Sequence, residues 1–207
     1  PLWNATSQTG APYGIGLNLG DPTLAPRLLM MFGLALTTTA AYVVVDTAFF
    51  AGGESGEYKR WAIRCALIVS TLGNAWVAVM GSWYFFAALP GEIRAAQLQS
   101  PMLVLTLLTA AGTGLPWLLI VLAQRGITRR LGLFTGLAQL GALGLHAISR
   151  QTVQNLELAP YLQIGAEPVN IQWSPLLLFL VLFVGGIGLL VWMVVQVVKA
   201  VRLPVVP

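Results

Sequence analysis

Five long apolar runs dominate this sequence and restrict the folds open to it. Each run has about the 20 residues that an α-helix needs to cross a hydrocarbon core of roughly 30 Å. Only helices and closed barrels satisfy every backbone polar group inside a bilayer, and continuous apolar runs of this length are typical of helices. We therefore predict an all-α integral membrane protein with five transmembrane helices, at 28–51, 61–89, 102–123, 131–149 and 176–198.

The composition agrees with this class. Hydrophobic residues make up 57% of the chain and charged residues 9%, with a mean hydropathy of +0.79, whereas soluble domains carry about 25% charged residues. Lys and Arg stand at the ends of the apolar runs rather than in a basic patch, so nucleic acid is not an expected partner. The single cysteine, Cys65, excludes a disulfide or a CxxCH haem attachment within these residues.

The positive charges divide unequally between the two sides of the predicted membrane domain. The side of the N-terminus carries Arg27, Arg94 and Arg150, and the other side carries Lys59, Arg60, Arg64, Arg125, Arg129, Arg130, Lys199 and Arg202. Cytoplasmic connections are enriched in Lys and Arg. We therefore predict a periplasmic N-terminal segment 1–27, a periplasmic loop 150–175 and a cytoplasmic tail 199–207.

Two charged residues lie inside the apolar runs. Asp46 is about two turns from the end of the first run, and Arg64 is about one turn into the second. Buried charges are costly unless they are paired, and antiparallel neighbouring helices would bring these two to similar depths. We predict a structural Asp46–Arg64 ion pair. The alternatives are a proton path or quinone-proximal carboxylate, and an Asp46 that reaches the water interface.

Glycine and proline punctuate the later runs. Pro116 removes one helical hydrogen bond and predicts a kink in the third helix. The fourth run has glycines at 132, 136, 141 and 144, and the fifth has glycines at 185, 186 and 188. Such faces allow the close approach of another helix. A flat face also admits the plane of a porphyrin, chlorin or carotenoid.

His146, in LGLHAISRQ, is the one histidine in the chain. A haem held by two histidines of this chain is therefore excluded. His146 is predicted to be an interfacial hydrogen-bonding residue or, in the alternative, a cofactor ligand: with Met30 or Met31 on a haem, with a ligand from a partner chain, or alone on a chlorophyll-type magnesium. No other metal site and no catalytic group is predicted, and an intrinsic cofactor is not expected.

Three stretches resemble bacterial multi-spanning membrane modules that accompany, or are fused to, c-type cytochromes. They are APRLLMMFGLALTTTAAY, GSWYFFAALPGEIR and the tail that begins RQTVQNLELAPYL. In that family a histidine follows Pro-Arg by three positions and looks like a haem ligand, whereas Met30 stands at the matching position here. The resemblance implies a location in the bacterial inner membrane and membership of a respiratory or photosynthetic electron-transfer complex, with a c-type cytochrome on the periplasmic side.

Three functions follow as expectations. The first is a membrane-anchoring and docking subunit of such a complex, whose partners are other membrane subunits, the cytochrome, and lipids or pigments. The second is a redox-active cytochrome or quinone-site subunit that uses His146, Asp46 and Arg64, with a haem or chlorophyll-type pigment at a subunit interface. The third is a transporter-like protein, which broken helices and polar midplane residues would favour.

Overall fold

The computed structural model describes residues 20–160 and 173–201, and every regular element in these two ranges is helical. Five segments are long and apolar enough to cross a membrane, which confirms the predicted all-helical class and indicates a multi-pass membrane protein. The elements are α1 Leu24–Phe49, α2 Gly56–Trp83 continued by a π-helical turn Tyr84–Ala88, α3 Gly91–Gln97, α4 Met102–Gly112, α5 Gly114–Ala123, α6 Arg129–Leu158 and α7 Trp173–Val201.

The fourth membrane helix is longer than its apolar run. The predicted helix ends at 149, and the predicted loop begins at 150, whereas α6 continues to Leu158. Val153 is buried on the face that also carries Gly132, Thr135 and Ala142, so the added turns extend the packed surface. Hydropathy alone misses such turns because most of their side chains are polar.

The third membrane helix is interrupted near Pro116, as the sequence predicts. α4 ends at Gly112 and α5 begins at Gly114. Pro116 has no backbone N–H to donate to the carbonyl of Gly112, one turn earlier, so the hydrogen-bond ladder fails at that point. Pro116 itself is fully buried.

The first four membrane helices run alternately up and down. Trp76 Nε1 donates to the carbonyl of Leu29 at 2.7 Å, and Gln124 Nε2 donates to that of Ile63 at 2.8 Å. These bonds join late residues of one helix to early residues of its neighbour. α1 also packs against α6, which closes the four into a ring. At one end the core contains Ala40, Val44, Ile63, Ala66, Ile120 and Ala123.

Glycines set the spacing between α1 and α2. A Cβ atom on Gly33 would lie 2.8 Å from Val77 Cγ2 and 3.1 Å from the carbonyl oxygen of Gly73. A Cβ atom on Gly73 would lie 2.9 Å from Thr37 Cγ2 and 3.0 Å from the carbonyl oxygen of Gly33. The two backbones are therefore in a contact that only glycine permits.

The contact between α1 and α6 uses two of the four glycines of the fourth apolar run. A Cβ atom on Gly132 would collide with Ala48 Cβ, and one on Gly136 would lie 3.2 Å from Val45 Cγ2. The predicted packing role is thus confirmed for these two glycines.

α7 belongs to a separate compact unit that begins at Gln163. Its candidate span, Trp173–Gln196, is the most apolar of the five, with a mean hydropathy of 2.8, and all of its described side chains are exposed. A helix that is apolar all round is typical of one surrounded by lipid or by other helices. Residues 161–172, which belong to the predicted periplasmic loop 150–175, lie outside the described residues.

Candidate functional site

A polar pocket lies at one end of the four-helix ring, where α1 begins and where the second and fourth membrane helices end. Its volume is about 250 Å³. The lining residues are Asp21, Arg27, Tyr84, Arg150, Val153, Gln154 and Glu157. The positive charges of the sequence predict Arg27 and Arg150 on one side of the membrane, but no pattern in the sequence brings the lining residues together as a site. The missed signal is that oppositely charged residues stand where α1 begins and where α6 ends, on the same side.

Local structure positions several of these side chains. Asp21 Oδ1 accepts hydrogen bonds from the backbone N–H of Thr23 at 2.8 Å and from its hydroxyl at 2.7 Å, which fixes the carboxylate just before α1. The positions 150, 153, 154 and 157 are spaced so that they share one face of α6. Tyr84 is the first residue of the π-helical turn and lies within electrostatic range of all four charged groups.

His146 lies on the inward face of α6, four residues after buried Ala142. Its side chain is partly buried, and its Nε2 atom is buried without a hydrogen-bond partner in the described part of the chain. A buried ring nitrogen without a partner is unusual, because nearly all such atoms are satisfied in folded proteins. The predicted interfacial hydrogen bond is therefore not formed by Nε2 in this structure.

Met30 and Met31 point in different directions. Met30 is partly buried against α2, with its Sδ 3.7 Å from the position of a Cβ atom on Gly81. Met31 is 46% exposed. The structure thus turns one methionine into a helix contact and the other to the surface, and ligation of a haem by His146 with either of them stays a prediction.

Asp46 and Arg64 do not form the predicted ion pair in the described residues. Asp46 is partly buried on α1, whereas Arg64 is on the exposed face of α2. Arg64 follows buried Ile63 by one position, about 100° around the helix, and so points away from the face that α2 packs on its neighbours. The sequence predicted the antiparallel neighbours but not which way Arg64 faces.

A buried amide, Gln139, joins α6 to α1 and was missed in the sequence. Its Nε2 donates to Thr37 Oγ1 at 3.1 Å and to Thr38 Oγ1 at 3.0 Å. Both threonine hydroxyls donate in turn to the carbonyl of Leu34, as expected of threonines in a membrane helix. The Gln139 side chain is 3% exposed, and its Oε1 has no partner in the described residues. A lone amide in the middle of an apolar run was the available signal.

We expect these interhelical hydrogen bonds to be measurable in a double-mutant cycle. Gln139→Leu combined with Thr37→Val and Thr38→Val should give a coupling free energy of about 0.6 kcal/mol, and at most about 1.7 kcal/mol, as for other hydrogen bonds within membranes. The measurement is the free energy of unfolding of the purified chain in detergent. Thr39→Val is the matched control, since its hydroxyl donates only within α1, to Ala35. Strict additivity of the Gln139 and threonine effects would contradict the contact.

The other two glycines of α6, Gly141 and Gly144, lie on its exposed side, away from the face that packs on α1. Nothing lies within 4 Å of a Cβ atom on Gly141 or Gly144. Both glycines are exposed, and at helical spacing they share a face with Leu137 and Ile148, which are 54% and 56% exposed. The exposed stripe Leu137–Gly141–Gly144–Ile148 is thus a shallow groove with a glycine floor. Within α7, taken by itself, Gly185, Gly186 and Gly188 are likewise open.

No cluster of three or more His, Cys, Asp or Glu side chains that could hold a metal ion occurs within residues 20–160 and 173–201. Comparison of the chain with protein-family models, with curated proteins and with solved structures finds no match. Any function proposed for the chain therefore has to be argued from its own residues.

Proposed function

We propose that this chain is the membrane-anchoring and docking subunit of a bacterial electron-transfer complex. It lies in the inner membrane with its N-terminus in the periplasm and its C-terminus in the cytoplasm. The orientation is supported by the excess of Lys and Arg on the connections of the C-terminal side. A c-type cytochrome docks on the periplasmic side, as the resemblance of the APRLLMMF and GSWYFFAALPGEIR stretches implies. Other membrane subunits pack beside it.

The open stripe Leu137–Gly141–Gly144–Ile148 carries the proposal. Gly33, Gly73, Gly132 and Gly136 are all used in contacts between helices of this chain, whereas Gly141 and Gly144 have open space beside them. Glycines at such spacing let a second backbone approach closely, and van der Waals packing is a main driving force for helix association in lipid. A helix of another subunit fits against the glycines, with Leu137 and Ile148 in contact with it one turn before and one turn after them.

Filling the groove should detach the partner subunits. We expect Gly144→Leu to reduce the amount of co-purifying membrane subunits about tenfold or more, because it removes close packing worth more than 1.4 kcal/mol. The measurement is quantitative mass spectrometry of the complex isolated in a mild detergent. Ala75→Leu on the exposed face of α2 is the matched control and should leave the composition unchanged. An intact complex in the Gly144→Leu variant would contradict the proposal.

A redox-active subunit is the second candidate, and the unpartnered Nε2 of His146 favours it. A single unpartnered nitrogen is suited to a chlorophyll-type magnesium or to a haem whose second ligand comes from a partner chain. This function requires that the isolated complex lose a pigment absorption band in the His146→Ala variant while it keeps its subunits. Loss of subunits in Gly144→Leu with an unchanged spectrum in His146→Ala supports docking alone.

A further inference from the structure

The pocket at the periplasmic end of the proposed topology has a balanced set of charges. Arg27 and Arg150 supply two guanidinium groups, and Asp21 and Glu157 supply two carboxylates. Within the described residues no salt bridge joins these groups to one another, although they line one cavity. Tyr84 and Gln154 add a hydroxyl and a neutral amide. Such a lining is suited to a ligand that is itself dipolar, because an anion or a cation alone would leave two like charges unmatched.

The volume and the floor of the pocket limit the ligand further. A cavity of about 250 Å³ holds a group of some ten non-hydrogen atoms, at about the 20–30 Å³ that each atom or water molecule occupies in a packed environment. Val153 provides an apolar part of the lining and is 4% exposed. The ligand's polar part is therefore small, about the size of one phosphate and one amine with a short link between them.

Apolar surface continues from the pocket along the helices that form it. Leu28 and Phe32, within two turns of Arg27, are 58% and 56% exposed. Trp83 and Phe86, beside Tyr84, are 44% and 69% exposed. A ligand with a charged head in the pocket and long apolar chains along these side chains would match both surfaces, and exposed aromatic rings are typical of the level where lipid headgroups lie.

We propose that this pocket binds the headgroup of a phospholipid that carries a phosphate and a primary ammonium, the phosphatidylethanolamine class. The phosphate binds the guanidinium groups of Arg27 and Arg150, whose planar donors suit phosphate oxygens. The ammonium donates to the carboxylates of Asp21 and Glu157. Tyr84 and Gln154 complete the hydrogen bonding. The shared chemistry is that of phosphoethanolamine, which also exists as a soluble molecule.

The test is lipid retention by the purified full chain in native mass spectrometry. Phosphatidylethanolamine, phosphatidylcholine and phosphatidylglycerol with the same acyl chains are offered in equal amounts. We expect preferential retention of phosphatidylethanolamine. Arg150→Gln and Glu157→Gln should each lower it about tenfold or more, the effect of one charge-assisted hydrogen bond. Arg125→Gln and Glu54→Gln, exposed residues outside the pocket, are the matched controls and should retain it fully.

Each other outcome overturns a defined part of the proposal. Equal retention of phosphatidylcholine would exclude the ammonium–carboxylate contact, and preferential retention of phosphatidylglycerol would exclude a dipolar ligand. Soluble phosphoethanolamine that binds as tightly as the lipid would make the free molecule the ligand. The milder variants Tyr84→Phe and Gln154→Leu guard against misfolding: with unchanged helical content they should each reduce retention severalfold, and full retention in both would also count against the site.

Discussion

Gly73→Ala should destabilise the chain by about 1–3 kcal/mol relative to the same substitution at Gly144, the range measured for overpacked contacts. The new methyl group meets Thr37 Cγ2 at 2.9 Å, the Gly33 carbonyl oxygen at 3.0 Å and Leu36 Cβ at 3.0 Å. The first of these is a methyl of a β-branched residue, the second is backbone, and the third is a Cβ atom, so none can turn away. The two helices must separate instead.

The comparison with Gly144 isolates packing from helix propensity. Both glycines lie inside helices, so alanine brings each the same gain of about 0.5–1 kcal/mol in helix propensity. At Gly144 nothing opposes this gain, because no atom lies within 4 Å of the added Cβ. The free energy of unfolding is measured for the purified chain in detergent. Equal stability of the two variants would show that α1 and α2 do not cross at Gly33 and Gly73.

Gly132→Ala should be comparably harmful, by about 1–3 kcal/mol, and Ala48→Gly should rescue it. The methyl group added at Gly132 collides with Ala48 Cβ, so removing the Ala48 methyl restores the space. The double variant has alanine at position 132 and glycine at position 48, so its two changes in helix propensity have opposite signs. Its stability should therefore return close to that of the wild type.

Gly136→Ala is the control variant for Gly132→Ala. Its nearest neighbour would be Val45 Cγ2 at 3.2 Å, a side-chain methyl that needs to give by only a few tenths of an ångström. The loss at Gly136 should be smaller than at Gly132, and Ala48→Gly should not rescue it. Rescue of both variants by Ala48→Gly, or of neither, would contradict the pairing of Gly132 with Ala48.

The helices were predictable because hydropathy over about 20 residues is a strong signal. The break before Pro116 was predictable for an equally local reason, the missing N–H. The extension of α6 to Leu158 was not, since a polar helix that packs along one face lacks the apolar run. Its evidence, buried Val153, is visible only once the helices are placed.

The pocket and the interior contacts depended on information that spacing does not contain. Asp21, Tyr84 and Glu157 are far apart in the sequence, and each by itself resembles an ordinary residue at a helix end. Asp46 and Arg64 were paired because both are charged, but the direction of a side chain around its helix decides contact. Gln139 bonds to Thr37 and Thr38, which precede it by about 100 residues, and nothing in the local sequence identifies them as its partners.

The contact between α1 and α6 has a consequence for synthesis of the chain. Val45 packs on Gly136, which is synthesised roughly 90 residues later. At ordinary elongation rates this face of α1 therefore has no partner helix for about 5–20 s. α2 emerges much sooner, and the Gly33–Gly73 crossing can form at once. We therefore expect the α1–α2 hairpin to be the first folded intermediate in the membrane. Until α6 is inserted, lipid or an insertion factor should cover the face of α1 that later contacts α6, which includes Thr37, Val45 and Ala48.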